Sequence, residues 1–138
     1  MSQHPSLFVA LRYRDPERAI RFMKEALAFE EHVVYRDAAG AIQHAELRFG
    51  NGMVMLGGAH CDDAADAEPA AAATAFSVYA VVADPDGHHA RAVAHGAEVV
   101  YAPRDTEYGS REHGVRDPEG VAWSFGTYQP FAVPPGGP

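Results

Sequence analysis

The same order of elements occurs twice in this chain, and that repeat restricts the fold more than any other feature. Asp15-Pro16-Glu17 and Asp84-Pro85-Asp86 both read as helix starts. Aspartate accepts from the free N–H groups of a first turn, proline suits the first helical position, and an acid there favours the positive end of the helix dipole. Gly52 and Gly120 each sit in a hairpin turn, and the step from Asp15 to Asp84 equals the step from Gly52 to Gly120 within one residue. Two landmarks keeping one offset indicate an internal duplication.

Each copy reads as strand, helix, then three strands. In the first copy, residues 7–13 (LFVALRY) form a β-branched and aromatic strand. A helix is expected from Pro16 to Ala28, with Ala19, Ile20, Met23, Ala26 and Leu27 at helical spacing. Strands follow at 32–35, 42–49 and 53–56, separated by the turns 37–40 and 50–52. In the second copy, strands are expected at 76–82, 97–102, 108–116 and 121–128, with a short helix over 89–95 closed by Gly96. The alanine- and acid-rich stretch 57–75 reads as a linker, and the Pro/Gly-rich end, 129–138, as a loose tail. With one helix per copy, each sheet has one face left over, which must line a cleft or meet a partner.

Composition narrows the function classes. A chain of 138 residues with 47% hydrophobic and 22% charged residues fits one domain, here a first module over about 6–58 and a second over about 75–128. The net charge of −8 disfavours nucleic acid and anionic membrane surfaces as partners. The N-terminal stretch carries no signal-peptide pattern, and the single Cys61 excludes internal disulfides; both lead us to expect a cytoplasmic protein. No phosphate loop, nucleophile elbow or CxxC pattern is found.

Three stretches carry a resemblance to a known family. LRYRDPERAIRFMKEALAF resembles the first strand and helix of the vicinal-oxygen-chelate superfamily, which includes glyoxalases, bleomycin-resistance proteins and extradiol dioxygenases. HAELRFGNGMVMLG resembles its third and fourth strands, and YGSREHGVRDPEGVAWSFGTY its closing hairpin, especially in the bleomycin-resistance-like branch. The resemblance spans roughly Leu7 to Tyr128. It implies an α+β fold: two βαβββ modules forming a curved mixed sheet with a concave cleft, helices on the outer face, and assembly as a homodimer. Metal-dependent members hold a divalent ion with four His or Glu side chains. The matching positions here are Phe8, Met55, Val78 and Ser124, none a good ligand for a hard or borderline cation. We therefore expect no metal and no cofactor.

Strand alternation sorts the candidate cleft residues. Val9 and Leu11 should face the helix, leaving Phe8, Ala10 and Arg12 on the cleft side. His44, Glu46 and Arg48 form one row of their strand; they read either as a solvated face laced by ion pairs or as the polar wall of a ligand site. Met53 and Met55 read as core packing or as a deformable apolar floor. Trp123 alternates with Ser124 and is expected in the core, while Tyr108 is expected at the cleft rim. Arg111 is a candidate anion or carbonyl anchor, or else a surface ion pair with an acid such as Glu112. His113 reads as a buried, hydrogen-bonded histidine more than as a general base. The adjacent His88 and His89 should face different ways, and His60, Cys61, Asp62 and Asp63 could trap metal only in a flexible loop.

The resulting expectation is a homodimer that sequesters an amphipathic, antibiotic-like small molecule. Its candidate ligand-binding residues are Phe8, Arg12, His44, Glu46, Met55, Tyr108, Arg111 and Ser124, with no catalytic residues. The alternative is a metal-dependent lyase, isomerase or dioxygenase with relocated ligands, His44, Glu46 and His113 first among them. A third possibility is an accessory binding subunit without turnover.

Overall fold

The computed structural model describes residues 5, 7–58 and 76–132, so most of the expected linker, including His60 to Asp63, lies outside the described residues. The first module runs β1 (Val9–Tyr13), α1 (Pro16–Glu25), β2 (Glu30–Arg36), β3 (Ile42–Phe49) and β4 (Gly52–Gly58). The second runs β5 (Ser77–Val81), α2 (Pro85–Ala94), β6 (Glu98–Asp105), β7 (Arg111–Arg116) and β8 (Ala122–Gly126). Each module is a four-stranded mixed sheet, ordered β1-β4-β3-β2 and β5-β8-β7-β6. The first strand of each pairs in parallel with the last, and the remaining pairs are antiparallel. This is the duplicated α+β fold expected from the repeat.

Both helices start on the aspartate caps read from the sequence. The Asp15 and Asp84 side chains accept from Arg18 N and Gly87 N at 3.1 Å. The ends differ from expectation. α1 stops at Glu25 because Ala28 adopts a left-handed backbone (φ +69°) and Phe29 N bonds back to Met23 O at 2.9 Å. An alanine in that region costs roughly 1–2 kcal/mol. Burial of Phe29 against the rings of Phe49 and Trp123 offsets it. α2 begins four residues before the expected helix, directly on its Asp84 cap, and Gly96 (φ +86°) follows its end. The strand expected from 108 begins at Arg111, leaving Tyr108 in the β6–β7 turn. A short 3₁₀ turn at Pro130–Ala132 occupies the start of the expected loose tail.

One core joins the two modules. Leu11, Tyr13, Met23, Leu27, Ala45, Leu47 and Leu56 from the first module are buried together with Val115, Trp123 and Phe125 from the second. The helix-bearing faces of the two sheets therefore meet, and their opposite faces turn away from the shared core. The second module also holds both ends of α1. The Glu119 carboxylate accepts from Arg14 N and Asp15 N at 2.7 Å, ahead of the first turn. At the other end Arg91 donates to the Glu25 and Lys24 carbonyls at 2.8 and 3.1 Å, and His88 Nε2 lies 2.9 Å from the Leu27 carbonyl. These contacts satisfy terminal carbonyls that a helix cannot pair within itself. Between them, the buried Asp117 carboxylate accepts from Tyr13 Oη at 2.5 Å and Trp123 Nε1 at 3.1 Å.

Candidate functional site

The uncovered face of the first module carries most of the expected polar row. Ala10, Met55 and Glu46 stand side by side across β1, β4 and β3. Leu11, Val54, Leu56, Ala45 and Leu47, which alternate with them, are buried on the helix side. On the uncovered face His44 Nε2 lies 2.9 Å from Glu46 Oε2, and the Tyr35 ring stacks on the imidazole at 6.1 Å. Arg12, His44, Met55 and the small residues Ala10, Gly57 and Gly58 border a hollow of about 300 Å³. Phe8 lies just ahead of β1 and is 42% exposed.

The second module's uncovered face is built from tyrosines. Tyr79, Ser124 and Gly114 align across β5, β8 and β7. Tyr101 of β6 lays its ring over Gly114, where any Cβ would overlap it, and donates to Ser124 Oγ at 3.1 Å. The Arg104 guanidinium sits 4.1 Å from the Tyr101 ring centroid, a cation–π contact. Glu112 is buried in this face and accepts from Tyr108 Oη at 2.9 Å. That bond raises the Tyr108 phenol above its ordinary range. Tyr79 donates to the Tyr128 carbonyl at 2.8 Å, and burial pushes its phenol up too. The face thus offers flat apolar rings around one carboxylate.

The expected residues therefore separate into three groups. Arg12, His44, Glu46 and Met55 share one face, with Phe8 at its edge. Tyr108 and Ser124 share another, in the other module. Arg111 belongs to neither. It alternates with Glu112 and so points to the helix side, where it binds Asp86 at 2.7 and 2.8 Å and Asp105 at 3.1 Å. These bonds hold its pKa above the usual arginine range. Of the two expectations for Arg111 the structure has the ion pair, made to Asp86 and Asp105 instead of Glu112. Tyr79, Tyr101 and Glu112 were not among the expected binding residues. Only the β5-β8-β7-β6 register puts them around Ser124, and register is not readable from one strand at a time.

Within one chain the inherited metal positions do not converge. Met55 lies on the first module's uncovered face with Phe8 at its edge, Ser124 lies on the second's, and Val78 pairs with Trp123 and packs on the core side. Phenyl, isopropyl, thioether and hydroxyl groups there do not fit a divalent ion. The relocated set does not form either. His113 is fully buried on the helix side of the second module, apart from the uncovered face that carries His44 and Glu46. Among the described residues no group of three or more His, Cys, Asp or Glu side chains is arranged to hold a metal. Around His113 the structure departs from the expectation that His88 and His89 diverge: both rings rest against it, at centroid distances of 5.1 and 5.2 Å. A further hollow of about 290 Å³ lies at the seam between modules, lined by Val9, Phe29, Phe49, Met53, Val78 and Trp123.

Comparison with known proteins adds a family. The family model described as Glyoxalase/Bleomycin resistance protein/Dioxygenase superfamily matches residues 7–125. Among solved structures, TioX from Micromonospora sp. ML1 is 30% identical, with a TM-score of 0.71 over 91% of this chain and 97% of that one. The fosfomycin resistance protein FosX from Mesorhizobium loti shares the fold at 18% identity and a TM-score of 0.64, covering 96% and 98% of the two chains. Glyoxalase I from Zea mays does so at 17% identity and 0.67, over 88% of this chain and 44% of that one. Curated proteins give no significant match.

Proposed function

Because this chain belongs to the glyoxalase/bleomycin resistance/dioxygenase superfamily, we propose that it is a small-molecule-binding protein, a homodimer that sequesters an amphipathic, antibiotic-like natural product without metal-dependent turnover. The observation that carries this is the pair of uncovered sheet faces, each lined by mixed apolar and polar groups. Phe8, Met55, Tyr79 and Tyr101 take the flat or apolar part of the ligand. Arg12, His44, Glu46 and Glu112 orient its polar part. The two faces of one chain turn away from each other, so neither encloses a ligand alone. A second copy supplies what is missing by laying its second-module face over the first-module face of its mate. Exposed apolar side chains at the free edges of both sheets, Leu7 and Phe8 by β1 and Phe76 and Val81 by β5, suit such an association. Among the described residues no helix is long and apolar enough to cross a membrane. A reducing cytoplasm suits the lone Cys61.

Two measurements test the proposal. Light scattering coupled to size exclusion should give the mass of a dimer. Calorimetric titration against a panel of glycopeptide and aromatic peptide antibiotics should give saturable binding that is weakened by both Glu46→Ala and Tyr101→Ala. A monomer that binds nothing in the panel overturns it. One stoichiometric metal ion lost on His44→Ala would favour the metal-dependent enzyme instead.

A further inference from the structure

A histidine relay crosses the junction between the modules, on the side away from the proposed ligand faces. His88 Nε2 faces the Leu27 carbonyl at 2.9 Å, and a carbonyl can only accept, so the proton sits on Nε2. The neutral ring then has a lone pair at Nδ1, which lies 2.9 Å from His113 Nε2. His113 must therefore donate from Nε2, which leaves its Nδ1 as a bare lone pair. That atom is buried and has no hydrogen-bond partner, and the same holds for Nδ1 of the adjoining His89. The slot around His113 is aromatic, with Phe125 stacked on it at 5.4 Å and the rings of His88 and His89 beside it.

We propose that the His88–His113 pair is a proton-operated latch between the two modules, closed while both rings are neutral and released when His113 takes a proton on its buried Nδ1. A proton there creates a cation, with an N–H that has nothing to donate to, in a slot walled by aromatic rings. Few charges offset it. From α2 the slot faces His88, His89 and Asp86, but the Asp86 carboxylate is committed to Arg111 of β7, which also holds Asp105 of β6. Arg91 of α2 adds positive charge near His88. Just past α1 the relay meets the Leu27 carbonyl, and from β3 and β8 it meets Phe49 and Phe125.

What yields is α2. It buries only Pro85 and Ala92, whereas α1 buries Ala19, Ile20, Phe22 and Met23. Lifting α2 from the end of α1 breaks the His88–Leu27 bond and brings the imidazoles to water. Burial and the neighbouring rings push His113 down to about 4, and burial lowers His88 as well. A ring near 4 when closed and near 6.5 when exposed takes up protons on opening, so opening becomes easier as pH falls below about 6.5.

Amide hydrogen exchange, expressed as protection factors to remove the intrinsic pH dependence, tests the latch. Between pH 7.5 and pH 5, protection across α2 and at Ala26 and Leu27 should fall by about tenfold to thirtyfold. β3, β4 and β8 should hold theirs. In His113→Phe, which fills the slot and leaves only His88 to titrate, the fall should be clearly smaller than in the wild type. Unchanged protection in the wild type, or an equal fall in His113→Phe, overturns the proposal. If that variant does not fold, ¹⁵N spectra of the wild-type imidazoles decide: a neutral Nε2–H tautomer titrating well below 6.5 supports the latch, and an Nδ1–H tautomer or a midpoint near 6.5 refutes it.

Discussion

Asp117 lies at the centre of the junction, and its replacement by alanine should be among the most damaging single changes in the protein. The residue is 4% exposed, and its carboxylate accepts four hydrogen bonds from described residues. Oδ2 accepts from Tyr13 Oη and Trp123 Nε1, and Oδ1 accepts from the backbone N–H groups of Glu119 and Val121 at 3.0 Å. Tyr13 and Trp123 are 0% and 1% exposed, so water cannot take over for the lost carboxylate. Each buried donor left unpaired costs about 1–3 kcal/mol, and the turn loses its two internal bonds besides. The sum is on the order of 3–6 kcal/mol, a large share of the stability of an ordinary domain. Tyr13→Phe removes one donor and leaves the rest of the network intact, so it should cost about 1–2 kcal/mol. Urea unfolding followed by the fluorescence of Trp123, the sole tryptophan, measures both. If the carboxylate and the phenol act as a unit, Tyr13→Phe should cost almost nothing in the Asp117→Ala background. A loss below about 1 kcal/mol for Asp117→Ala, or strict additivity of the two changes, would refute the reasoning.

Other outcomes follow from the same structure. Burial first, then the Asp117 charge, raises the Tyr13 pKa; the folded state prefers the protonated phenol, so its contribution should be full below about pH 10 and lost as alkali ionises the unfolded chain, and Tyr13→Phe should flatten that alkaline decline in urea midpoints. Arg111→Met should lower the urea midpoint only slightly, because the ion pairs it breaks are at least partly exposed, and molar salt should shrink the difference further. Gly114→Ala should destabilise by about 1–3 kcal/mol, because the new methyl must push the Tyr101 ring off its bond to Ser124; a crystal structure with Tyr101 unmoved would contradict this.

Much of the fold was legible because its signals are local. The Asp-Pro-acid helix starts, the hairpin glycines and the alternation in LFVALRY and HAELRFG all act within a few residues, and the structure follows them at Asp15, Asp84 and along β1 and β3. The same alternation put Arg12, His44, Glu46 and Met55 on one face and Trp123 in the core. Arg111 escaped this logic for lack of a frame. Its parity with His113 and Val115 was readable, but which row meets α2 depends on where Asp86 and Asp105 come to lie. The helix ends were misjudged for a related reason, since α1 is stopped by the packing of Phe29 against a ring from the other module.

Short-range chemistry in the chain alone determined the doubled βαβββ order, the helix starts and which strand residues share a face, since capping and pleating need only neighbours in sequence. Tertiary structure alone decided that the expected ligand residues other than Arg111 fall on two separate faces, that tyrosines surround Ser124, and that His88 and His89 close over the buried His113. Those outcomes rest on strand register and on the docking of one module against the other, which bring together residues about 60 to 105 positions apart, as in His88–Leu27 and Arg14–Glu119. No periodicity within a strand or helix encodes a pairing at that distance.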